Sequence, residues 1–164
     1  MSIRIIQETR IVPETRAELR RVREVMNADP TTIAPETPVD VLIGLFADLD
    51  FEGFPVVDEA GHLIGVVTKL DLLRAVRPRD RWTDVDVTRP VSHTAAELMR
   101  RAVVTVEPDD PAVSALDLLL ESRFHSVPVV TRTRGAPPTV VGMVSRGDLI
   151  RAFFTPAPEP VTRA

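Results

Sequence analysis

The sequence contains no cysteine and no tyrosine, one tryptophan (Trp82) and one lysine (Lys69). Without cysteine there is no disulfide, no thiolate metal site and no cysteine nucleophile, so stability rests on packing. A reducing cytoplasm fits that composition. The three histidines, His62, His93 and His125, show no metal-ligand spacing. Ser92-His93 falls in a polar stretch and reads as solvent-exposed rather than as a nucleophile–base pair. No glycine-rich phosphate loop and no dinucleotide fingerprint occurs among the seven glycines. The expectation is a chain that catalyses nothing itself and requires no metal or cofactor. No stretch approaches the roughly 18 apolar residues of a spanning helix. The opening MSIRIIQETR lacks the apolar region of a secretory signal, so a cytoplasmic protein without membrane contact is expected.

Charge of one sign is lacking too. Twenty basic and 24 acidic residues, a net charge of -4, are mixed along the chain. That leaves no electrostatic footprint for a polyanion, and nucleic acid is not an expected partner. What is present is ordinary for a folded protein: 164 residues, 44% apolar and 27% charged, enough to bury about 70% of the unfolded surface.

The sequence repeats itself. Setting residue n against n+73 aligns Glu24 with Glu97, Met26 with Met99, Thr32 with Thr105, Pro35 with Pro108 and Pro38 with Pro111. Pro55-Val56-Val57 falls on Pro128-Val129-Val130. After a four-residue insertion the offset becomes 77, and Gly65, Val67, Asp71, Leu72, Arg74 and Ala75 meet Gly142, Val144, Asp148, Leu149, Arg151 and Ala152. Self-similarity of this kind means one structural unit used twice.

Each unit reads as an extended piece (Thr31 to Ile33 in the first) leading into a proline-bounded turn and then a helix. Val39, Leu42, Ile43, Phe46 and Leu49 carry helical spacing in one unit; Ala112, Ala115, Leu116 and Leu119 carry it in the other. Pro38 and Pro111 suit helix starts. Phe54-Pro55-Val56-Val57, a turn at Asp58 to Gly61 and Leu63 to Val67 read as a β-hairpin. Its counterpart has a longer loop, 131–139, containing Gly135-Ala136-Pro137-Pro138. Closing helices are expected near Lys69 to Val76 and Arg146 to Phe154. The fold class is therefore α+β, strand-helix-strand-strand-helix twice, with helices on the face of a small sheet. A unit of about 55 residues has a marginal core alone, so the two should pack through their sheets with pseudo-twofold symmetry. The expected organisation is an N-terminal arm and helix at 1–22, a first motif at 23–77, a linker at 78–95 anchored by Trp82, a second motif at 96–154 and a proline-rich disordered tail at 155–164.

The segment Gly65-Val66-Val67-Thr68-Lys69-Leu70-Asp71 is echoed by Gly142-Met143-Val144-Ser145-Arg146-Gly147-Asp148. Two readings stand side by side. In one, Thr68 and Ser145 cap a helix and the acid three residues later returns the hydrogen bond. In the other, the strand-to-helix junction offers free N–H groups to an anion while the carboxylate accepts from a ribose diol. Lys69 and Arg146 place a cation in the first turn, where the helix dipole disfavours one unless an anion is near.

The whole pattern resembles the CBS domain family, which occurs as tandem pairs called Bateman modules. The residues that carry the likeness, from Val22 to Phe154, are Arg23-Glu24-Val25-Met26 and Ala96-Glu97-Leu98-Met99, Pro35 and Pro108, the Pro-Val-Val runs and the two Gly-x-x-[Ser/Thr]-x-x-Asp segments. The resemblance implies a regulatory module that binds AMP, ADP, ATP or S-adenosylmethionine in clefts beside the pseudo-twofold axis, forms a homodimer and modulates an unidentified protein. A scaffold of the same fold without a nucleotide ligand is the alternative. It also implies roles: Asp71 and Asp148 for ribose, Thr68 and Ser145 for sugar or phosphate, and Lys69 and Arg146 for phosphate. Adenine would be lined by Thr32, Ile33, Phe54, Pro55 and Val56 in one cleft and by Thr105, Val106, Val127, Pro128 and Val129 in the other, unless these positions are core. Phe54, bulky for its place, either fills its cleft or stacks the base. The family's glycine after the first helix is replaced by Asp50 and Arg123, and the 131–139 loop is expected to cover the second cleft.

Overall fold

The computed structural model describes residues 20–75, 94–122 and 124–154. Most of the expected arm helix, Trp82 with its linker, Ser92-His93, Arg123 and the proline-rich tail lie outside the described residues. Within them the order is a 3-10 turn at Val22–Glu24, helix α1 (Val39–Asp48), strands β1 (Gly53–Val57) and β2 (Leu63–Thr68), and helix α2 (Lys69–Ala75). The same series follows with a short helix α3 (Ala95–Leu98), then α4 (Ala112–Glu121), β3 (Ser126–Thr131), β4 (Thr139–Ser145) and α5 (Arg146–Phe154).

Pro38 and Pro111 are the N-cap residues of α1 and α4, each with extended ψ, which sets the chain's entry into the helix. The buried positions of α1 are Val39, Leu42 and Phe46, and those of α4 are Ala112, Ala115 and Leu119, both at helical spacing. Ile43, which the spacing placed inside, is 52% exposed. It adjoins Leu42 in the apolar run but points about 100° away around the helix.

Each hairpin is antiparallel, Phe54 opposite Val67 and Val127 opposite Val144. The extended pieces expected at the start of each unit pair with β1 and β3 in parallel, through single bridges Ile33–Val56 and Val106–Val129. Proline explains their brevity. Ile33 N–H donates to the Pro55 carbonyl and Val57 N–H to the Ile33 carbonyl; the next rung would need an N–H from Pro55, which has none. Pro128 ends the pairing of Val106 in the same way.

The core of each half is completed by the chain that precedes the other. Val22 is fully buried among Val106, Ala115, Leu119, Val127, Val129, Val144 and Leu149 of the second half. Ala95 and Met99 are buried among Ile33, Leu42, Phe46, Phe54, Val56 and Val67 of the first. The exchanged straps also extend the sheets: Arg100 and Val66 exchange two backbone hydrogen bonds (3.0 and 2.9 Å), and Asn27 and Met143 exchange two (2.8 and 2.9 Å). Packing units therefore differ from sequence units, since the Met26 region serves the second half and the Met99 region the first.

The repeated glycines mark this crossing. A Cβ on Gly65 would lie 2.5 Å from the Met99 sulfur and 3.0 Å from the Arg100 carbonyl. One on Gly142 would lie 2.7 Å from the Met26 sulfur and 2.9 Å from the Asn27 carbonyl. The halves meet again where β2 and β4 begin, with Leu63 N–H donating to the Pro138 carbonyl at 2.8 Å and Val140 N–H to the Gly61 carbonyl at 3.2 Å.

Candidate functional site

Among the described residues two cavities lie between the halves, and their linings correspond in part. The first, of about 270 Å³, is walled by Thr68, Leu70 and Arg74 from the β2–α2 junction, Arg100 and Val104 from the strap, and Val127 and Pro128 from β3. The second, of about 510 Å³, is walled by Ser145, Gly147, Asp148 and Arg151 from the β4–α5 junction, Asn27 and Thr31 from the other strap, and Phe51. Glu52, Gly53, His125 and Ser126 contribute to both. Each wall thus draws on both halves, which follows from the exchange of straps.

The two junctions are built alike. Thr68 donates its N–H (3.0 Å) and hydroxyl (2.6 Å) to Asp71 Oδ2, and Asp71 N–H returns a bond to Thr68 Oγ1 at 3.3 Å. Ser145 donates its N–H (2.8 Å) and hydroxyl (2.6 Å) to Asp148 Oδ2, and Asp148 N–H returns one to Ser145 Oγ at 3.2 Å. Both are reciprocal capping boxes, which satisfy the first N–H groups of the helices and hold each carboxylate in place. A carboxylate oxygen can accept further bonds, so capping does not by itself exhaust the acid.

The flanking cations are placed differently from the expectation. Lys69 Nζ bonds Glu52 Oε1 at 3.1 Å, and Lys69 does not line the first cavity. Arg146 lies along the second cavity, but its guanidinium donates to the Leu119 and Ser122 carbonyls at 3.0 and 3.4 Å, closing the C-terminal end of α4. Among the described residues the cations beside the carboxylates are Arg74 and Arg100 at Asp71 and Arg151 at Asp148. Repetition of Arg74 and Arg151 at offset 77 was the signal available for that pair. Arg100 matches Asn27 and gave none.

Of the apolar candidates, Val127 and Pro128 line a cavity, on the wall opposite Thr68. Ile33, Phe54, Val56, Val106 and Val129 belong to the two cores. Pro55 is buried, Thr32 is exposed, and Thr105 accepts a hydrogen bond from Arg132 at 2.9 Å. None of these eight lines either cavity. Phe54 is fully buried, its ring 4.6 Å from that of Phe46 and 5.7 Å from that of Phe51, so it fills the core. In place of the expected Thr32 and Thr105, the walls carry Thr31 and Val104, one position before each. The 131–139 loop lines neither cavity, because it lies at the far end of β4. Asp50, in place of the family glycine, stands on the wall of the second cavity.

Among the described residues, no group of three or more His, Asp or Glu could hold a metal ion, and no helix is long and apolar enough to cross a membrane.

Comparison with known proteins agrees with this architecture. A chloroplastic CBS domain-containing protein of Arabidopsis thaliana, CBSX2, is 27% identical over 139 residues, covering 73% of this chain and 57% of that protein. The structure of CBSX2 in complex with AMP superposes with a TM-score of 0.65, covering 80% of this chain and 94% of that one. The CBS domain pair of protein MJ0100, in complex with 5′-methylthioadenosine and S-adenosyl-L-methionine, gives 0.64 at 25% identity, covering 82% of this chain and 95% of that one. Inosine-5′-monophosphate dehydrogenase of Mycobacterium tuberculosis is 31% identical over 113 residues, 68% of this chain but only 19% of that enzyme. The CBS domain model matches residues 22–78 and 95–155, and with both halves so matched the chain belongs to the CBS domain family, as a tandem pair.

Proposed function

We propose that the chain is a regulatory module that binds an adenosyl ligand, AMP, ADP, ATP or S-adenosylmethionine, between its halves and modulates a separate protein. The observation that carries this reading is the second cavity, where a helix-capped carboxylate, Asp148, lies on the wall beside Arg151 and Ser145. A carboxylate held at a strand-to-helix junction is a natural acceptor for a ribose diol, and the neighbouring arginine and hydroxyl suit a phosphate. The AMP complex of CBSX2 and the S-adenosylmethionine complex of MJ0100, both spanned almost completely by this chain, support an adenosyl ligand.

Ligand seated on walls from both halves would favour one arrangement of them over another, by its difference in affinity for the two. The chain itself is read as non-catalytic and cytoplasmic. A homodimer is part of the proposal. Leu73, Leu120, Ile150 and Phe154 are exposed apolar side chains on the outer helices, 67%, 71%, 59% and 63% accessible, and a second copy would cover them. Sedimentation over a concentration series should give the mass of two chains.

A scaffold that works by protein contacts is the second reading, favoured by the capping boxes, which are complete without any ligand. Calorimetric titration of nucleotide-stripped protein with AMP, ATP and S-adenosylmethionine in parallel separates the two. Saturable binding that Asp148→Asn removes supports the sensor; no binding to any of the three supports the scaffold.

A further inference from the structure

We infer that the two clefts are not equivalent: the Asp148 cleft alone is open to a ribose diol, and Arg100 closes the Asp71 cleft to it. This rests on the proposed adenosyl reading and assigns Arg100 as the residue that decides site occupancy. The two straps are anchored identically, each by a reciprocal pair of backbone hydrogen bonds to the middle of β2 or β4, so residues 100 and 27 occupy equivalent places. Their side chains differ. Arg100 Nε donates to Asp71 Oδ1 at 2.9 Å, and Arg74 lies 3.5 Å from the same oxygen, while Thr68 occupies Oδ2 with two bonds. Both oxygens of Asp71 are thereby engaged, its side chain is only 7% exposed, and it does not reach the wall of the first cavity, where Arg100 stands instead. A diol would have to displace a guanidinium from a buried carboxylate, leaving that charge without its partner.

At the second junction Asn27 cannot reach across in this way. Its Oδ1 accepts from Asp29 N–H at 3.1 Å, within its own loop. Among the described residues, Asp148 Oδ1 meets only Arg151, whose side chain is 72% exposed, and Asp148 itself is on the cavity wall. An exchange of that arginine for sugar hydroxyls costs less than displacing Arg100, because the Arg151–Asp148 pair is the more exposed of the two, 72% and 16% against 42% and 7%. The second cavity also has the greater volume, about 510 against 270 Å³.

The test is calorimetric stoichiometry with AMP, with 2′-deoxy-AMP as the control for the diol. Wild-type protein should bind one AMP per chain, with 2′-deoxy-AMP weaker by at least about tenfold, the loss of one or two good hydrogen bonds. Asp148→Asn should abolish that binding while keeping the wild-type circular dichroism spectrum. Arg100→Asn, which copies the second strap, should raise the stoichiometry to two, and adding Asp71→Asn to it should return the value to one. Two AMP per wild-type chain, or Arg100→Asn remaining at one, overturns the inference and leaves the adenosyl reading standing. No AMP bound by wild type and Arg100→Asn alike overturns the adenosyl reading, and the inference with it.

Discussion

Three glycines show how one methyl group has opposite effects at different places. Gly65 and Gly142 sit beneath the exchanged straps, where a Cβ would fall within 3.0 Å of backbone carbonyls as well as of flexible methionine sulfurs. A methionine can move, but a carbonyl held by a reciprocal pair of hydrogen bonds can do so only by lifting the strap from the sheet. Gly65→Ala and Gly142→Ala are expected to destabilise by about 1–3 kcal/mol, as overpacking does. Gly44, inside α1, has no atom within 4 Å of its missing Cβ, so Gly44→Ala should stabilise by roughly 0.5–1 kcal/mol through helix propensity. Urea denaturation of the three variants decides it, and equal effects at all three would refute the close-approach argument. The sequence showed both repeated glycines but not their reason, because the atoms that crowd them lie on the straps, about 35 residues from Gly65 and about 115 from Gly142. Asp71 and Asp148 were legible as a pair for the opposite reason: their partners Thr68 and Ser145 are three residues distant, inside one motif. Arg100, 29 residues from Asp71, breaks the repeat, and a departure from a repeat carries no instruction about what it contacts.

At the level of elements, the β1–β2 turn is fastened by one carboxylate. Asp58 Oδ1 accepts from His62 N–H at 2.8 Å and Ala60 N–H at 3.0 Å, its Oδ2 lies 2.9 Å from His62 Nδ1, and Gly61 supplies the left-handed backbone with φ of 82°. The bond from His62 N–H chiefly, then the His62 side chain and Ala60 N–H, hold this carboxyl below its ordinary value of 3.8. A group whose folded value is lowered contributes stability that is present above the ordinary value and is lost as pH falls through the lowered one. The wild-type melting temperature should therefore fall more steeply on acidification below pH 3.8 than that of Asp58→Asn, which keeps an acceptor but cannot titrate. Parallel acid slopes for the two proteins would refute it. The turn, hairpins and closing helices were all readable, because their signals (proline before a helix, Asp and Gly in a turn, apolar alternation) act over a few residues. The parallel edge pieces were readable only as extended chain. Their partner strands stand more than 20 residues on, and only the geometry shows that Pro55 and Pro128 limit them to a single bridge each.

The exchange of straps makes the whole molecule one cooperative unit. Val22 is buried in the second core and Ala95 and Met99 in the first, so neither core is complete without chain that enters from the other half. The repeat boundary is where similarity along the sequence ends and not where packing ends. If the halves were self-sufficient, a cavity in one would lower the stability of that half and leave the other's transition in place. With each core closed by the other's strap, loss of one removes the anchor of the other, and both must unfold together. Leu42→Ala, in a fully buried position of the first core, and Leu119→Ala, 1% exposed in the second, should each cost about 2–5 kcal/mol. For a chain of this size the midpoint falls by roughly 2–4 °C per kcal/mol. Scanning calorimetry should show in both variants a single transition moved to lower temperature, with the calorimetric enthalpy equal to the van't Hoff value. Two resolved transitions, only one of them displaced, would mean that the halves fold independently and that the straps lie on the cores without completing them.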